Sequence, residues 1–334
     1  MFWLLILLLL LFFDIVFSPF TVYIYIIICY NDFILKERRK IMKAYPLKLD
    51  AYKKGVVWGG TTLRDKYGKC FEADDLGETW ELAVREKENS VIVNGEYAGM
   101  TLKEYLGNEE NFPLLVKFLD ANDSLSVQVH PQKTEMWYIV EATPDAQLVY
   151  GLNEKFDKEK IREAIESGNL EEHLNYINVK AGEVYFIPSG LTHAICKGIV
   201  IAEIQENSDI TYRLYDYMRP QADGTLRELH VEESLETMDD ITEEYIEEHR
   251  YSLGKTSENN LANCEFFCVD KYDFEGDMTF SKDGFHHILC LEGEGCIDGE
   301  PIVKGDSYYI PREINEYKIT SKNGISVIIS TCKY

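Results

Sequence analysis

The sequence predicts a mainly β protein built from two β-rich units with few helices, and three observations carry that expectation. Runs of aromatic and β-branched residues bounded by Gly, Asp and Asn recur from residue 42 to the C-terminus. Only two segments show a clear helical period: Asp157–Ser167, with Ile161, Ala164 and Ile165 on one face, and Glu228–Thr237 around Val231 and Leu235. From Met42 onward the chain has about 290 residues, large for one domain and comfortable for two small β domains that share burial. The expected division is a hydrophobic extension at 1–41, a first unit at 42–240 with a short helical insert, and a second unit at 241–334.

Met1 to Tyr30 carries one charge, Asp14, amid Leu, Ile, Phe and Tyr, and the basic run Lys36-Glu-Arg-Arg-Lys40 follows. Its length would permit a membrane span, whereas it lacks the basic start and small-residue cleavage site of a secretory signal. An inserted segment would leave the basic run on the cytoplasmic side. Met42 is the expected working start, which would leave the protein with no membrane partner and a cytoplasmic location.

Within the first unit, Leu125-Ser-Val-Gln-Val-His130 alternates apolar and polar residues, so a strand would point Gln128 and His130 to the same side. Pro131 ends that strand, and Glu135 opens the next run, Met136-Trp-Tyr-Ile-Val140, so a hairpin is expected to bring the carboxylate alongside the histidine. Further on, Gly182-Glu-Val-Tyr-Phe-Ile-Pro188-Ser-Gly190-Leu-Thr-His193 sets a histidine after a strand and a tight turn. A lone histidine in a β protein is ordinarily a surface or core residue, but two such segments together suit one ion. Gln128, His130, Glu135 and His193 make a mixed N/O donor set matched to a borderline divalent metal such as zinc.

The acidic stretch Glu236–Arg250 reads as a linker or a solvated helix. After it comes a weaker echo, Gly293-Glu-Gly295 and Gly305-Asp-Ser-Tyr-Tyr-Ile-Pro311, with no histidine in the closing position. His286 and His287 are adjacent, so a strand would turn them to opposite faces, where they cannot readily chelate one ion.

The two histidine-bearing segments resemble the paired motifs of the cupin superfamily. Gln128 stands in the place of the first histidine, and Gly182, Pro188, Gly190 and His193 match the second motif. Within that superfamily the chain resembles type I phosphomannose isomerase. The likeness runs in order through Trp58-Gly-Gly-Thr-Thr-Leu63, Gly77-Glu-Thr-Trp-Glu81, Pro113-Leu-Leu-Val-Lys117, Lys133-Thr-Glu-Met-Trp137 and Glu203-Ile-Gln-Glu-Asn-Ser-Asp-Ile-Thr-Tyr-Arg213-Leu-Tyr-Asp-Tyr217. It implies a double-stranded β-helix (jelly-roll) metal domain followed by a smaller metal-free cupin-like domain. It departs in one place: only Pro131 and Gln132 separate His130 from Lys133, a shorter loop than the family's usual one, which bears on the mouth of the pocket.

The resemblance implies a zinc-dependent interconversion of mannose 6-phosphate and fructose 6-phosphate through a cis-enediol, with one zinc per chain. Ser126 and Lys133 match phosphate-side positions, and Arg213 matches an arginine that stabilises charge on the reacting sugar. Glu203, ten residues before Arg213 and expected on the same Ile/Ala-rich strand, or Lys133 would carry the proton, with a metal-held water as a third candidate. For Arg213 the bland reading is a surface ion pair with Asp209 or Asp216. Two other readings stay open: a cupin that binds sugar phosphate without turnover, and a metal cupin oxygenase.

A net charge of −24 would repel a sugar phosphate at long range, so local cations and hydroxyls must receive it. The same acidity, with no basic stripe, argues against nucleic acid as a partner. Eight cysteines without a paired spacing read as thiols in a reducing compartment.

Overall fold

The computed structural model describes residues 44–107, 111–221, 223–252 and 257–332, so the expectation for the N-terminal extension lies outside the described residues. The strands are β1 (Leu47–Asp50), β2 (Tyr52–Gly60), β3 (Leu76–Leu82), β4 (Val91–Ile92), β5 (Leu114–Ala121), β6 (Val127–Val129) and β7 (Glu135–Ala142). There follow β8 (Gln147–Leu152), β9 (Leu174–Asn178), β10 (Val184–Ile187), β11 (His193–Ile195), β12 (Ile199–Glu206) and β13 (Tyr212–Tyr215). The last part of the chain adds β14 (Asn260–Asn263), β15 (Phe267–Ser281), β16 (His286–Ile297), β17 (Glu300–Val303), β18 (Ser307–Ile310) and β19 (Glu316–Cys332). Helices are few: α1 (Thr62–Tyr67), α2 (Leu102–Tyr105), α3 (Lys158–Ser167), α4 (Val231–Thr237) and α5 (Glu243–Arg250).

These strands form three sheets stacked as layers. The front sheet has the order β13-β6-β11-β8-β9, the middle sheet β10-β7-β12-β5-β3-β2, and the third sheet β14-β15-β19-β16-β18-β1-β4 with β17 beside β16. Side-chain alternation assigns each layer its core. On the front sheet Val127, Val129, Val149 and Ala194 face outward, where Ile161, Ala164 and Ile165 of α3 and Leu235 of α4 cover them. On the inner side Ile195 of the front sheet meets Trp137, Ile139, Ile199 and Ile201 of the middle sheet. The far face of the middle sheet, with Val116, Phe118, Met136 and Ala202, packs on Phe267, Phe285, Leu289 and Ile328 of the third sheet. That third sheet folds around its own apolar core of Ile288, Ile297, Tyr308, Ile310, Ile319 and Val327.

Helix α3 begins where the sequence places it, because the Asp157 carboxylate accepts hydrogen bonds from the backbone N–H groups of Glu159 and Lys160. The acidic stretch before residue 250 is more than a linker: α5 buries Ile246 in the core between the middle and third sheets.

Two expectations fail. β6 and β7 do not form a hairpin, since β6 pairs with β11 and β13 while β7 pairs with β10 and β12 in the other sheet. The loop after Pro131 therefore crosses between layers, and Glu135 approaches His130 across the interior. Nor do Glu203 and Arg213 share a strand. Glu203 lies on β12 in the middle sheet and Arg213 on β13 in the front sheet. The ends of the third sheet also come from far away in sequence, as β1 pairs with β18 and with β4.

Candidate metal centre

Front and middle sheets close on one another with a polar end to their shared interior. Alternation aims Gln128 and His130 inward from β6, because Val127 and Val129 take the outward face. His193 opens β11 and lies directly opposite Gln128 in register. From the middle sheet, β7 supplies Glu135 and β12 supplies Glu203.

Backbone contacts stitch the two histidine-bearing segments together. The N–H of Gly190 donates to the carbonyl of His130 at 3.1 Å, and the Ser189 hydroxyl donates to the same oxygen at 3.1 Å. Gly190 has φ +87°, and a Cβ there would stand 3.2 Å from the Thr237 carbonyl oxygen, so the turn into His193 needs glycine.

The histidine rings are set up alike. His193 donates from Nδ1 to the Leu191 carbonyl at 2.8 Å, and His130 Nδ1 stands 3.0 Å from the Ile210 carbonyl. Each Nδ1 thus carries the proton, which leaves a lone pair on each Nε2. His130 Nε2 is buried without a hydrogen-bond partner among the described residues, with Glu135 Oε1 3.3 Å away but not aligned to bond it. Gln128 brings its amide to 3.4 Å from His193 Nε2. His130, Glu135 and His193 are all buried, and each offers one donor atom within 4.8 Å of the others. The orphaned His130 lone pair and the His193 Nε2, met only by the Gln128 amide, fit a divalent metal well beside a carboxylate.

Electrostatics agree with that geometry. Burial, reinforced by the neighbouring His130, pushes His193 down to about 3, and burial also lowers His130, so both rings stay in the neutral, ligating form. Burial alone would raise the Glu135 carboxyl, but the Lys133 ammonium beside it holds it well below the usual carboxylate range.

The other expected residues gather around this cluster. Lys133 is buried with its ammonium 2.5 Å from Glu135 Oε1. Ser126, also buried, lies at the start of the same inward-facing row as Gln128. Glu203 accepts from Lys117 Nζ at 2.8 Å, and burial, then the Glu135 charge, raises its carboxyl. Arg213 sits opposite Gln128 in the β13–β6 register, half-buried, with Nη1 donating to the Glu228 carbonyl at 2.7 Å and Nε without a partner among the described residues. Neither aspartate of the bland reading holds it: Asp209 pairs with Arg85, and Asp216 with Arg219 and Arg227.

Sequence reasoning missed Lys117 as part of this group. Its ammonium bridges Glu203 and Gln205 at 2.8 Å each, and burial is overcome by Glu203, Glu78 and Glu135, which raise it. The residue was visible in the Pro113–Lys117 motif, but its partners lie far along the chain. A cavity of about 620 Å³, lined by Asp123, Gln147, Glu171, Cys196, Tyr217 and Arg219 among others, contains none of the site residues.

Comparison with known proteins accords with this picture. The family described as "Phosphomannose isomerase type I, catalytic domain" matches residues 47–149, and "Mannose-6-phosphate isomerase, cupin domain" matches residues 257–331. The mannose-6-phosphate isomerase ManA of Bacillus subtilis (strain 168) is 38% identical over 307 residues, covering 83% of this chain and 96% of that protein. The mannose-6-phosphate isomerase of Streptococcus mutans is 35% identical over 301 residues, 82% of this chain and 95% of that one. Among solved structures, the mannose 6-phosphate isomerase from Bacillus subtilis superposes with a TM-score of 0.75 at 30% identity, over 86% of this chain and 100% of its own. A mannose 6-phosphate isomerase bound with zinc and yttrium shares the fold, with a TM-score of 0.61 at 15% identity over 85% of this chain and 99% of its own. With its jelly-roll sheets, its buried His130/Glu135/His193 cluster and these relatives, the chain belongs to the type I phosphomannose isomerase (mannose-6-phosphate isomerase) family.

Proposed function

We propose that this chain is a zinc-dependent aldose–ketose isomerase that interconverts mannose 6-phosphate and fructose 6-phosphate through a cis-enediol, in the cytoplasm, with one zinc per chain. Family membership supports the reaction. The observation that carries the metal is the pair of buried histidines whose Nδ1 atoms are spent on backbone carbonyls and whose Nε2 atoms converge with Glu135. In this reading residues 42–240 perform the chemistry and residues 241–334 complete the burial of the middle sheet.

Gln128, His130, Glu135 and His193 would hold the zinc, which supplies Lewis-acid polarisation of the sugar oxygens at C1 and C2. In the forward direction a base takes the proton from C2 and a proton is returned to C1, while the hydroxyl proton shifts from O2 to O1. Nothing else is gained or lost. Glu203 suits the proton transfer because burial raises its carboxyl toward neutrality, and Lys133 is the other candidate. Arg213 would offer its free Nε, with the fork of the guanidinium, to the negative charge that develops on the enediolate. Ser126 and Lys133 would face the phosphate, although the Lys133 ammonium at Glu135 favours a place nearer the reacting carbons.

A coupled assay of mannose 6-phosphate conversion tests this, run on the full chain and on the chain begun at Met42, before and after chelation and after zinc is restored. Activity lost to chelator and regained with zinc is the expected result. Sugar-phosphate binding without turnover in the zinc-loaded protein would replace the isomerase with a binding module.

A further inference from the structure

A cross-strand row runs through the middle sheet from its interior to the metal cluster. Trp80 on β3 lies opposite Lys117 on β5, Lys117 opposite Glu203 on β12, and Glu203 opposite Trp137 on β7. The row alternates aromatic and charged side chains, with the Lys117 ammonium 5.4 Å from the centre of the Trp80 ring. At its end Trp137 shares a strand face with Glu135, two residues earlier.

The indole of Trp137 is fully buried, and its single N–H is forked between two carboxylates. It stands 3.0 Å from Glu135 Oε2 and 2.9 Å from Glu203 Oε1. The remaining oxygens are held elsewhere, Glu135 Oε1 by Lys133 and Glu203 Oε2 by Lys117. The same indole meets the His193 ring edge-on, with ring centres 5.4 Å apart at 76°. One side chain therefore touches a carboxylate and an imidazole of the metal cluster and a candidate proton carrier.

We infer that Trp137 is a positioning residue that fixes the orientation of Glu135 toward the metal and couples it to Glu203. The inference deepens the proposed metal site and rests on that reading. Two buried carboxylates that share one donor repel each other when the donor is removed, while the Lys133 and Lys117 ammonium groups would pull them apart. Glu135 would then present its oxygens to the metal in a broader set of rotamers. Outer contacts of this kind set metal affinity because they determine how much order the ligand loses on binding.

The test is Trp137→Phe, which keeps an aromatic ring in place and deletes the N–H together with the second ring of the indole, so that a packing loss accompanies the loss of the donor. Zinc affinity is measured by competition with a chelator, and turnover at saturating zinc, in the full chain. The expected result is zinc binding weakened by about 10–100-fold, with kcat reduced and KM for the sugar phosphate nearly unchanged. A role in packing alone would lower the unfolding midpoint and leave the zinc affinity where it was, and that result overturns the inference. Should the variant fail to fold, the wild-type chain serves: addition of zinc to metal-stripped protein should shift the Trp137 indole N–H resonance, assigned by elimination with Trp→Phe variants at the other tryptophans. An unmoved resonance on zinc binding overturns the inference too. Wild-type protein that takes up no zinc would overturn the metal reading itself, an outcome distinct from zinc-loaded wild type beside an unaffected variant.

Discussion

The first lobe and the second lobe both bury histidines inside β layers, yet they spend the ring nitrogens differently. In the first, His130 and His193 tie Nδ1 to backbone carbonyls and leave Nε2 facing a carboxylate and each other, with ring centres 4.7 Å apart. In the second, His287 commits Nε2 to the Ser307 hydroxyl at 2.7 Å, and His286 places Nδ1 2.9 Å from the Tyr317 hydroxyl. His286 shares a strand face with Ile288, Cys290, Tyr308 and Ile310, His287 lies on the opposite face with Leu289 and Tyr309, and neither belongs to a metal-ligating cluster among the described residues. A buried histidine is thus suited to ligation only where the nitrogen its scaffold leaves free faces other donor groups.

Breaking the first arrangement should have the largest effect. His193→Ala removes a donor atom from the cluster, and turnover is expected to fall on the order of 10³-fold or more, as loss of several kcal/mol of metal stabilisation implies. Zinc content measured alongside the assay checks the cause, and circular dichroism should remain that of a folded β protein. Wild-type zinc content in that variant would remove His193 from the site.

The second arrangement is probed by acid. Burial pushes His287 down to about 3, and the Lys69 charge adds to it, whereas the unfolded chain titrates near the ordinary value of 6.5. A depressed histidine means that the unfolded state binds the extra proton first. The stability this group contributes is complete above about pH 6.5 and is lost as pH falls from there toward 3, amounting to about 2 kcal/mol by pH 5. Urea unfolding at pH 8 and pH 5 on wild type and His287→Gln measures it, since the variant should lack that share of the pH dependence. An identical pH dependence in both would place the acid sensitivity elsewhere.

The smallest effect sharpens the distinction between holding metal and handling substrate. Arg213→Lys keeps the charge and loses the fork, so kcat is expected to drop by about tenfold, roughly 1.4 kcal/mol, with zinc content unchanged. Zinc loss in that variant would move Arg213 from substrate to scaffold.

Much of the site was legible because it is local. Alternation over Leu125–His130 gives the inward face of β6, and the Pro188/Gly190 turn gives the placement of His193. Helix α3 was readable from its period and its aspartate cap. Sheet membership was not. Nothing in Pro131–Thr134 says whether the chain turns back beside β6 or crosses to the opposite layer, because both paths need a short polar loop. Lys117 was hidden for a related reason: its carboxylate partner is 86 residues away, and only the pairing of β5 with β12 brings them together. The forked indole of Trp137 depends in the same way on the pairing of β7 with β12, 66 residues from Glu203.

Long-range pairing has one more consequence, for the order in which the chain can fold. β1 docks on β18, with Leu47 opposite Tyr309, and carries β4 as the last strand of the third sheet. A ribosome must therefore release almost the whole polypeptide before its first described strand can pair with β18. Such high contact order slows the closing step, and until it happens both β1 and β18 present unpaired edges. A second lobe expressed alone would keep the bare edge of β18 permanently, which makes the N-terminal strand an internal chaperone for the C-terminal sheet.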